Sequence, residues 1–596
     1  MSAIGADGGG RARALRGAVA VLAWSTGLAM FATAAGALTL SPLNGTPDAS
    51  PRTQISFLGA GARDISHVSV VGSRSGSHGG KLRWYASAPG ASYVLGRPFA
   101  QGERVTASAL VRSGRHRSRV RTTFTIARLA HYPLPPGGPR LPAKAGLNQS
   151  FVSEPSLQPP SVQVRANSQA ATQGDIFLTA GSGYGQAGAM IIDGAGRLVW
   201  FQPAAKGNEV TDLKVELYEG RPVLTFWQGH VDLGVGFGEH EIYDSSYRRI
   251  ASVAAGNGYY ADLHDFQITP QGAAYLTANS LVRADLRSVG GSRDGGLKDG
   301  IVQEVDIKTG LVMFEWHAYG HVHLYDSYAS SPQDRTRPWD FFHINSISPD
   351  PWGDGNLLIS SRNTWAVYEI DHHSGAIAWR IGGKRSSFRM GAGTGTAWQH
   401  DARWQPDHTL TIFDNGAVPI VHSQSRAVRE RIDWKRRTVE LVGREVRTPR
   451  IRSGSQGNAQ LLPNGNSFIG WGEDPYFTEF SATGQVLFDA SLPAPTQVYR
   501  AFRFPWSAMP ATPPAIALKV TGPTTTSVYA SWNGATGVSG WNVLAGDTPA
   551  TLATIATVPS SGFETAIVLP IAAPVFAVQA LGGAGEVLGT SHALHR

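Results

Sequence analysis

Three histidines stand at matching phases of three consecutive repeats in this chain. They are His264 in LHDFQITPQGAAYL, His343 in FFHINSISPDPWGDGNLLIS and His400 in WQHDARWQPDHTLTIF. Each lies a few residues before a turn and a short apolar strand. Residues that recur at one phase of a repeat take equivalent places in space. A repeat that closes on itself therefore turns all three rings toward one axis. Gathered imidazoles are costly to desolvate unless they bind or react with something. Arg362, in LLISSRNTWAVYEID, follows the strand of the His343 repeat and is placed to reach the same point. Three imidazoles and a guanidinium make a donor-rich pocket with no carboxylate certain to neutralise it. Such a pocket suits a tetrahedral oxyanion. Arginine offers a planar fork to two oxygens. Neutral histidine can be a nucleophile, and protonated histidine a donor or general acid.

Other readings of the same residues stay open at this point. A lone histidine near a strand end is usually structural. Three could bind Zn²⁺, which would make the protein a metal-dependent hydrolase or lyase. An unpaired arginine sits badly beside zinc, however, and no glutamate accompanies any of the histidines as a hydrolytic base. Asp265 and Asp401 follow their histidines directly, but alternation along a strand turns them to the opposite face. A non-catalytic extracellular propeller binding anionic ligands is the remaining alternative. His317, His321 and His323, in WHAYGHVHLYDSY, fall in a long loop of roughly 317–340 that reads as a lid. They are expected as surface residues, with metal binding as the rival. His372 and His373 occupy a hairpin turn and look incidental.

The elements that must position these residues are short strands. Glycine (70) and proline (36) are frequent, and charged residues make up only 16% of the 596 residues. The apolar runs are brief and bounded by Gly, Pro, Asn and Asp, as in a turn-rich all-β protein. A hairpin pattern of apolar strand, D-x-x-x-G or a relative, and second apolar strand recurs six times, as in MIIDGAGRLVWF and QEVDIKTGLVMFEW. Glycine turns leading into apolar strands, such as QGAAYLT and GDGNLLIS, interleave with it. Four strands per repeat predict a six-bladed β-propeller over 173–508, with the strand after the glycine turn nearest the axis. Residues 38–130 read as an N-terminal Ig-like β-sandwich and 131–172 as a Pro-rich linker. Residues 512–596 resemble a fibronectin type III sandwich, with Trp532 and Trp541 at core phases.

Residues 1–37 resemble an export signal. Arg11, Arg13 and Arg16 precede the apolar run Ala18–Phe31 and a small-residue cleavage region. Left uncut, residues 17–40 are also long enough to anchor the chain in a membrane. Both readings place the remainder outside the cytoplasm. Cysteine is absent, which excludes disulfides, thiolate catalysis and Cys-type zinc sites. The formal charge of +8 favours anionic small molecules only mildly. Its densest stretch, Arg112 to Arg121, reads as a solvated strand face, and no nucleic-acid motif accompanies it. Oligomeric state is not readable.

The segments DLHDFQITPQG, FFHINSIS, LLISSRNTWAVYEID, AIAWRIGGK, WQHDARW and LTIFDNGA together resemble the arylsulfotransferase family. These are bacterial aryl-sulfate sulfotransferases that work without a nucleotide donor. The likeness covers about 175–505. It implies a propeller with its site in the central channel, an aryl sulfate donor and a phenolic acceptor, and neither cofactor nor metal. His400 matches the histidine that family enzymes sulfate transiently. His264, His343 and Arg362 match residues that hold the sulfuryl group, with His264 or His343 as acid and base. Tyr259, Tyr260, Trp365 and Trp398 could stack on aryl rings, although core packing is the commoner role. An ordinary imidazole titrates near ~6.5, so acid should halt the first step. A rate flat to about pH 5 would then point away from His400.

Overall fold

The short apolar runs become antiparallel strands, and among the described residues helix is confined to the 3-10 turns Arg287–Val289, Leu324–Asp326 and Pro549–Thr551. The computed structural model describes residues 38–596 apart from 62, 133–140, 233, 331–332, 334–336 and 354. The expected export signal or anchor over 1–37 lies outside them, as do Pro133, Pro135, Pro136 and Pro139 of the linker. No helix among the described residues is long and apolar enough to cross a membrane.

Four-strand units follow one another along the central region. The first joins Asp175–Ala180, Gly188–Ile192 and Leu198–Pro203 to the late strand Val498–Phe504. The second runs through Glu209–Tyr218, Arg221–Asp232, Val235–Tyr243 and Arg249–Val253. The third comprises Ala261–Ile268, Ala273–Ala284, Gly295–Asp306 and Val312–His317. Ile344–Pro349 opens the fourth, His400–Trp404 the fifth and Asn458–Leu461 the sixth. These opening strands touch in succession, and the sixth returns to Val498–Phe504. Two long-range pairings hold the ends together. Val498–Phe504 pairs with Asp175–Ala180, and Gln163–Asn167 pairs with Val486–Ser491. Part of the expected linker is thus an edge strand, because the alternating QVRAN offers a ladder to an open sheet edge.

The strand nearest the centre is not the one expected. It is the strand before the glycine turn, which carries the histidine itself. DLHDFQI, INSISP and HDARW are too polar to show an apolar period, and their polar groups are paired inside the protein instead. Each is also interrupted. Register shifts fall between Thr211 and Lys214, Ala261 and Phe266, Ile344 and Ser346, and His400 and Arg403. Asp212, His343 and Asp401 take positive φ of 57°, 55° and 55° there. A bulge of this kind re-aims side chains, and positive φ outside glycine is sterically costly.

One buried charge network repays that cost. Lys214 lies 2.6 Å from Asp212 and 3.5 Å from Asp265. Arg500 donates to Asp212 at 2.7 Å and to the Asn345 carbonyl at 2.8 Å, and stands 3.6 Å from Asp401. Arg403 pairs with Asp401 at 2.8 Å and Asp265 at 2.9 Å. Asp265 also accepts the Ile347 N–H at 2.6 Å, and Asp401 the Ala459 N–H at 3.1 Å. Every unit contributes a member.

The N-terminal region sets the sheet of Thr39–Ser41, Ile55–Leu58, Gly90–Leu95 and Gly80–Trp84 over that of Gly76–Ser77, Ile65–Gly72, Arg104–Ser113 and His116–Thr125. Phe57, Val105, Ala107 and Phe124 form its core. Arg117, Arg119 and Arg121 are exposed on the last strand. At the C-terminus a three-stranded and a five-stranded sheet enclose Trp532 and Trp541.

Replacing Arg500 by leucine removes a buried cation from three carboxylates, Asp212, Asp265 and Asp401. Removing one partner of a buried ion pair costs about 3–5 kcal/mol, so the unfolding midpoint in urea should fall correspondingly. A loss under about 1 kcal/mol, the scale of an exposed pair, would show that the network is not what holds the bulged strands.

Candidate active site

The four residues picked from the sequence meet at one cavity of about 320 Å³. His264, His343, Arg362 and His400 line it together with Glu209, Ser455, Gln456, Gln497 and Tyr499. The His264 and His343 rings stand 4.9 Å apart, edge to face at 82°. One nitrogen from each of the three histidines lies within 4.8 Å of the other two. Asp265 and Asp401 point away from the cavity, into the charge network, from bulged strands.

The rings differ in what stands behind them. His264 Nδ1 is 2.5 Å from Asp262 Oδ2, and His343 Nδ1 is 2.6 Å from Asp340 Oδ2. Each carboxylate fixes Nδ1 as the protonated nitrogen and leaves Nε2 toward the cavity. Burial opposes ionisation of Asp262 and Asp340, but His264 beside the first, and Lys298 with His343 beside the second, hold both below the usual carboxylate range. Lys298 Nζ lies 3.3 Å from Asp340.

His400 has a neutral partner. Its Nδ1 lies 2.7 Å from Asn415 Oδ1 and 3.1 Å from the Trp398 carbonyl. The Asn415 amide nitrogen donates to the carbonyls of Ser453 and Gln456, both at 3.1 Å, so its oxygen is the face turned to His400. The proton therefore sits on Nδ1, and Nε2 accepts the Gln456 N–H at 3.2 Å. Burial first, and then the Arg362 charge, push the His400 pKa well below the ordinary imidazole value. Burial likewise lowers His343, outweighing Asp340.

Arg362 follows Leu357–Ser361 and stacks its guanidinium 4.9 Å over Trp398. Two of its N–H groups are spent on Asn363 Oδ1 at 2.9 Å and the Gly454 carbonyl at 3.1 Å. A guanidinium has five such donors, so three remain. Tyr499 donates to the His264 carbonyl at 2.9 Å, and burial raises its pKa far above the usual phenol value.

Sequence reasoning missed Asp262, Asp340, Asn415, Gln456 and Tyr499. Asp262 and Asp340 stand two and three residues before their histidines, and only the bulged backbone brings them behind the rings. The aromatic expectations are corrected. Tyr260 is exposed, Tyr259 turns toward a separate buried cluster, Trp365 stacks on Tyr328 at 3.7 Å, and Trp398 supports Arg362. His317 is corrected too. It ends the strand Val312–His317 and is buried.

A cavity lined by three imidazoles and the Arg362 guanidinium is suited to an anion. The imidazole spacing would also admit a metal, but Arg362 places a fixed positive charge beside it. The class follows from the chain itself: residues 214–492 match the family model described as Arylsulfotransferase (ASST). Over this region, a little under half of the chain, the sequence is similar to the arylsulfotransferase family. The match leaves out the first four-strand unit, although that unit supplies Tyr499. No curated protein matches the chain. A Bacteroides caccae protein of unknown function is 15% identical, with 55% of this chain and 98% of that one covered and a TM-score of 0.35. A quinonprotein alcohol dehydrogenase-like protein from Bacteroides thetaiotaomicron is 9% identical, covering 95% and 98%, with a TM-score of 0.24. Saccharomyces cerevisiae Sqt1 is 11% identical, covering 77% and 94%, with a TM-score of 0.27.

Asn415→Asp would put a carboxylate behind His400 as in the other two rings. The pH at which His400 titrates, followed by ¹⁵N NMR of the ring, should rise. An unchanged titration would show that Asn415 is not its Nδ1 partner.

Proposed function

We propose that this protein is an exported aryl-sulfate sulfotransferase. It moves a sulfuryl group from a phenolic sulfate ester to a phenol through a sulfohistidine on His400. The core would be a six-bladed propeller built from the four-strand units, flanked by Ig-like and fibronectin type III-like sandwiches. The observation that carries the reading is the state of His400. It is neutral and stands beside Arg362 and two carboxylate-backed imidazoles, with an Nε2 lone pair that must be withdrawn from the Gln456 N–H to react.

In the first step Nε2 of His400 attacks sulfur and the S–O bond to the aryl oxygen breaks. The departing phenolate takes a proton from Nε2 of His264 or His343, which enters the step doubly protonated and leaves it neutral, with its remaining proton on Nδ1 toward Asp262 or Asp340. In the second step a phenol attacks the sulfohistidine, the N–S bond breaks, and the same imidazole removes the phenol proton. Such proton transfer is worth ~10²–10⁴-fold. The free N–H groups of Arg362 hold the sulfonate oxygens through both steps, so positioning and charge stabilisation carry most of the rate. Asn415 Oδ1 accepts a hydrogen bond from the Nδ1–H throughout, and this keeps the sulfated ring in one tautomer. The basic and apolar N-terminal sequence supports export, by a cleaved signal or as an anchor.

Mass spectrometry after brief exposure to a chromogenic aryl sulfate should find one sulfuryl adduct on His400. His400→Ala should lower transfer to excess phenol by more than ~10⁴-fold, beyond the loss of one proton-transfer group. An adduct elsewhere, or release of coloured phenol that does not need an acceptor, would overturn the reading. Arg362→Lys should cost about 10²–10³-fold, the scale of a lost oxyanion donor.

The depressed His400 pKa changes the acid limb. The nucleophilic form persists as pH falls through ~6.5, and activity is lost only below that. Flatness through the ordinary imidazole range, which the sequence alone would have counted against His400, is now the expected profile. A limb centred near 6.5 would show that His400 is not screened from water as described.

A further inference from the structure

A second group of ionisable side chains lies away from the cavity and takes no part in the chemistry above. Asp48, from the N-terminal region, meets Asp299 and His317 of the third four-strand unit, and all three are buried. His317 Nδ1 is 2.8 Å from Asp299 Oδ2 and 3.2 Å from Asp48 Oδ1. One proton on Nδ1 cannot serve both. It goes to Asp299, and neither Asp48 oxygen has a hydrogen-bond donor although the residue is only 2% exposed. Among the described residues no lysine or arginine pairs with Asp48, Asp299 or Glu315. A desolvated carboxylate without a donor is expensive. Here it is aimed at a second carboxylate and an imidazole nitrogen.

We propose that Asp48, Asp299 and His317 Nδ1 bind a divalent metal ion of the zinc or manganese type. The three ligand atoms lie within 4.8 Å of one another. Donors on a common ion at ~2.0–2.2 Å stand roughly 3–3.5 Å apart; the 3.2 Å contact of His317 with Asp48 falls in that range and the 2.8 Å contact with Asp299 just short of it. One imidazole and two carboxylates are donors that these ions accept. The outer contacts are those of a metal-bound histidine. His317 Nε2 is 3.0 Å from Glu315 Oε1. Glu315 is itself held by Asn257 at 2.7 Å and Gln303 at 2.6 Å. A ligating histidine gives its second N–H to such a carboxylate, which fixes its tautomer. Asp299 Oδ1 accepts the Tyr319 N–H at 2.7 Å, leaving Oδ2 for the ion. Binding displaces the Nδ1 proton to solvent and places a dication among carboxylates that otherwise repel.

The ion would tie the N-terminal sheets to the strand Gly295–Asp306. That strand carries Lys298 toward Asp340 on one face and Asp299 toward the ion on the other. Ser50 and Gln54 already bind Asn257 beside the site, so the ion completes an existing seam.

The test uses the full chain, stripped with a chelator and then given Zn²⁺ or Mn²⁺ alone. About one ion per chain should be retained after gel filtration, with a raised Tm. Asp48→Asn should weaken retention at least tenfold and Glu315→Gln by about 10–100-fold, whereas His400→Ala should keep the ion. X-ray absorption of the zinc-loaded chain should show one imidazole with oxygen donors, and this decides the matter if Asp48→Asn does not fold. No retention and no Tm change, retention unaltered in Asp48→Asn, or a shell of three imidazoles would each overturn the proposal. The last would place the ion at His264, His343 and His400 instead.

Discussion

The buried charge network at the centre is the constraint on which the remaining geometry depends. Three aspartates, Asp212, Asp265 and Asp401, face three cations, Lys214, Arg403 and Arg500, with little water. Burial alone would raise the carboxyl pKa of Asp265, yet Arg403, Arg500 and Lys214 outweigh it and keep the group ionised. Such pairs need near-perfect complementarity, because removing any partner leaves a bare charge in a dry interior. That demand fixes the inner strands relative to one another. It also accounts for the bulges. A regular strand cannot deliver an aspartate to the network and the preceding histidine to the cavity at the required depth, and the re-aimed backbone can. His264–Asp265 and His400–Asp401 are the same device used twice.

The cavity sits on this platform with its three imidazoles already differentiated. Histidine chemistry is set by the partner of the buried nitrogen. A carboxylate behind Nδ1 favours the protonated ring, while a neutral amide does not. Asp262 and Asp340 hold the His264 and His343 rings with Nε2 toward the cavity, while Asn415 gives His400 a neutral partner. Arg362 reinforces the difference, since its charge penalises protonation of His400. Pairs of titratable groups with environments that push them apart mark separate acid, base and nucleophile roles.

The sequence made the important residues visible because they repeat. Equal phase in consecutive repeats identified His264, His343 and His400, and proximity to one of those strands identified Arg362. The hairpins of the outer strands were equally plain, as their apolar alternation has no competing demand. What stayed hidden has a common cause. The inner strands pair their polar groups with one another, so hydropathy does not mark them, and the axial position went to the wrong strand of each repeat. Asp262, Asp340 and Asn415 reach the rings only through bulges or across a neighbouring strand. Tyr499 and Arg500 arrive from more than two hundred residues away in sequence. His317 looked like a loop residue because the strand that ends in it runs straight into the turn.

Closure of the ring and completion of the site are one event. The strand Val498–Phe504 pairs with Asp175–Ala180 and brings Tyr499 to the cavity and Arg500 to the charge network. Until it docks, Asp212 lacks one of its two cations and His264 lacks the phenol that holds its carbonyl. Loop-closure entropy must be met before such distant contacts contribute, so this pairing belongs late in folding. Gln163–Asn167, docked on the sixth unit, is a second latch across the same closure. A half-closed ring would leave aspartates desolvated and unpaired, which disfavours partly assembled states. The cationic cavity is therefore tied to the fully closed ring, and its histidines take their final environments only when the last inner strand is in place.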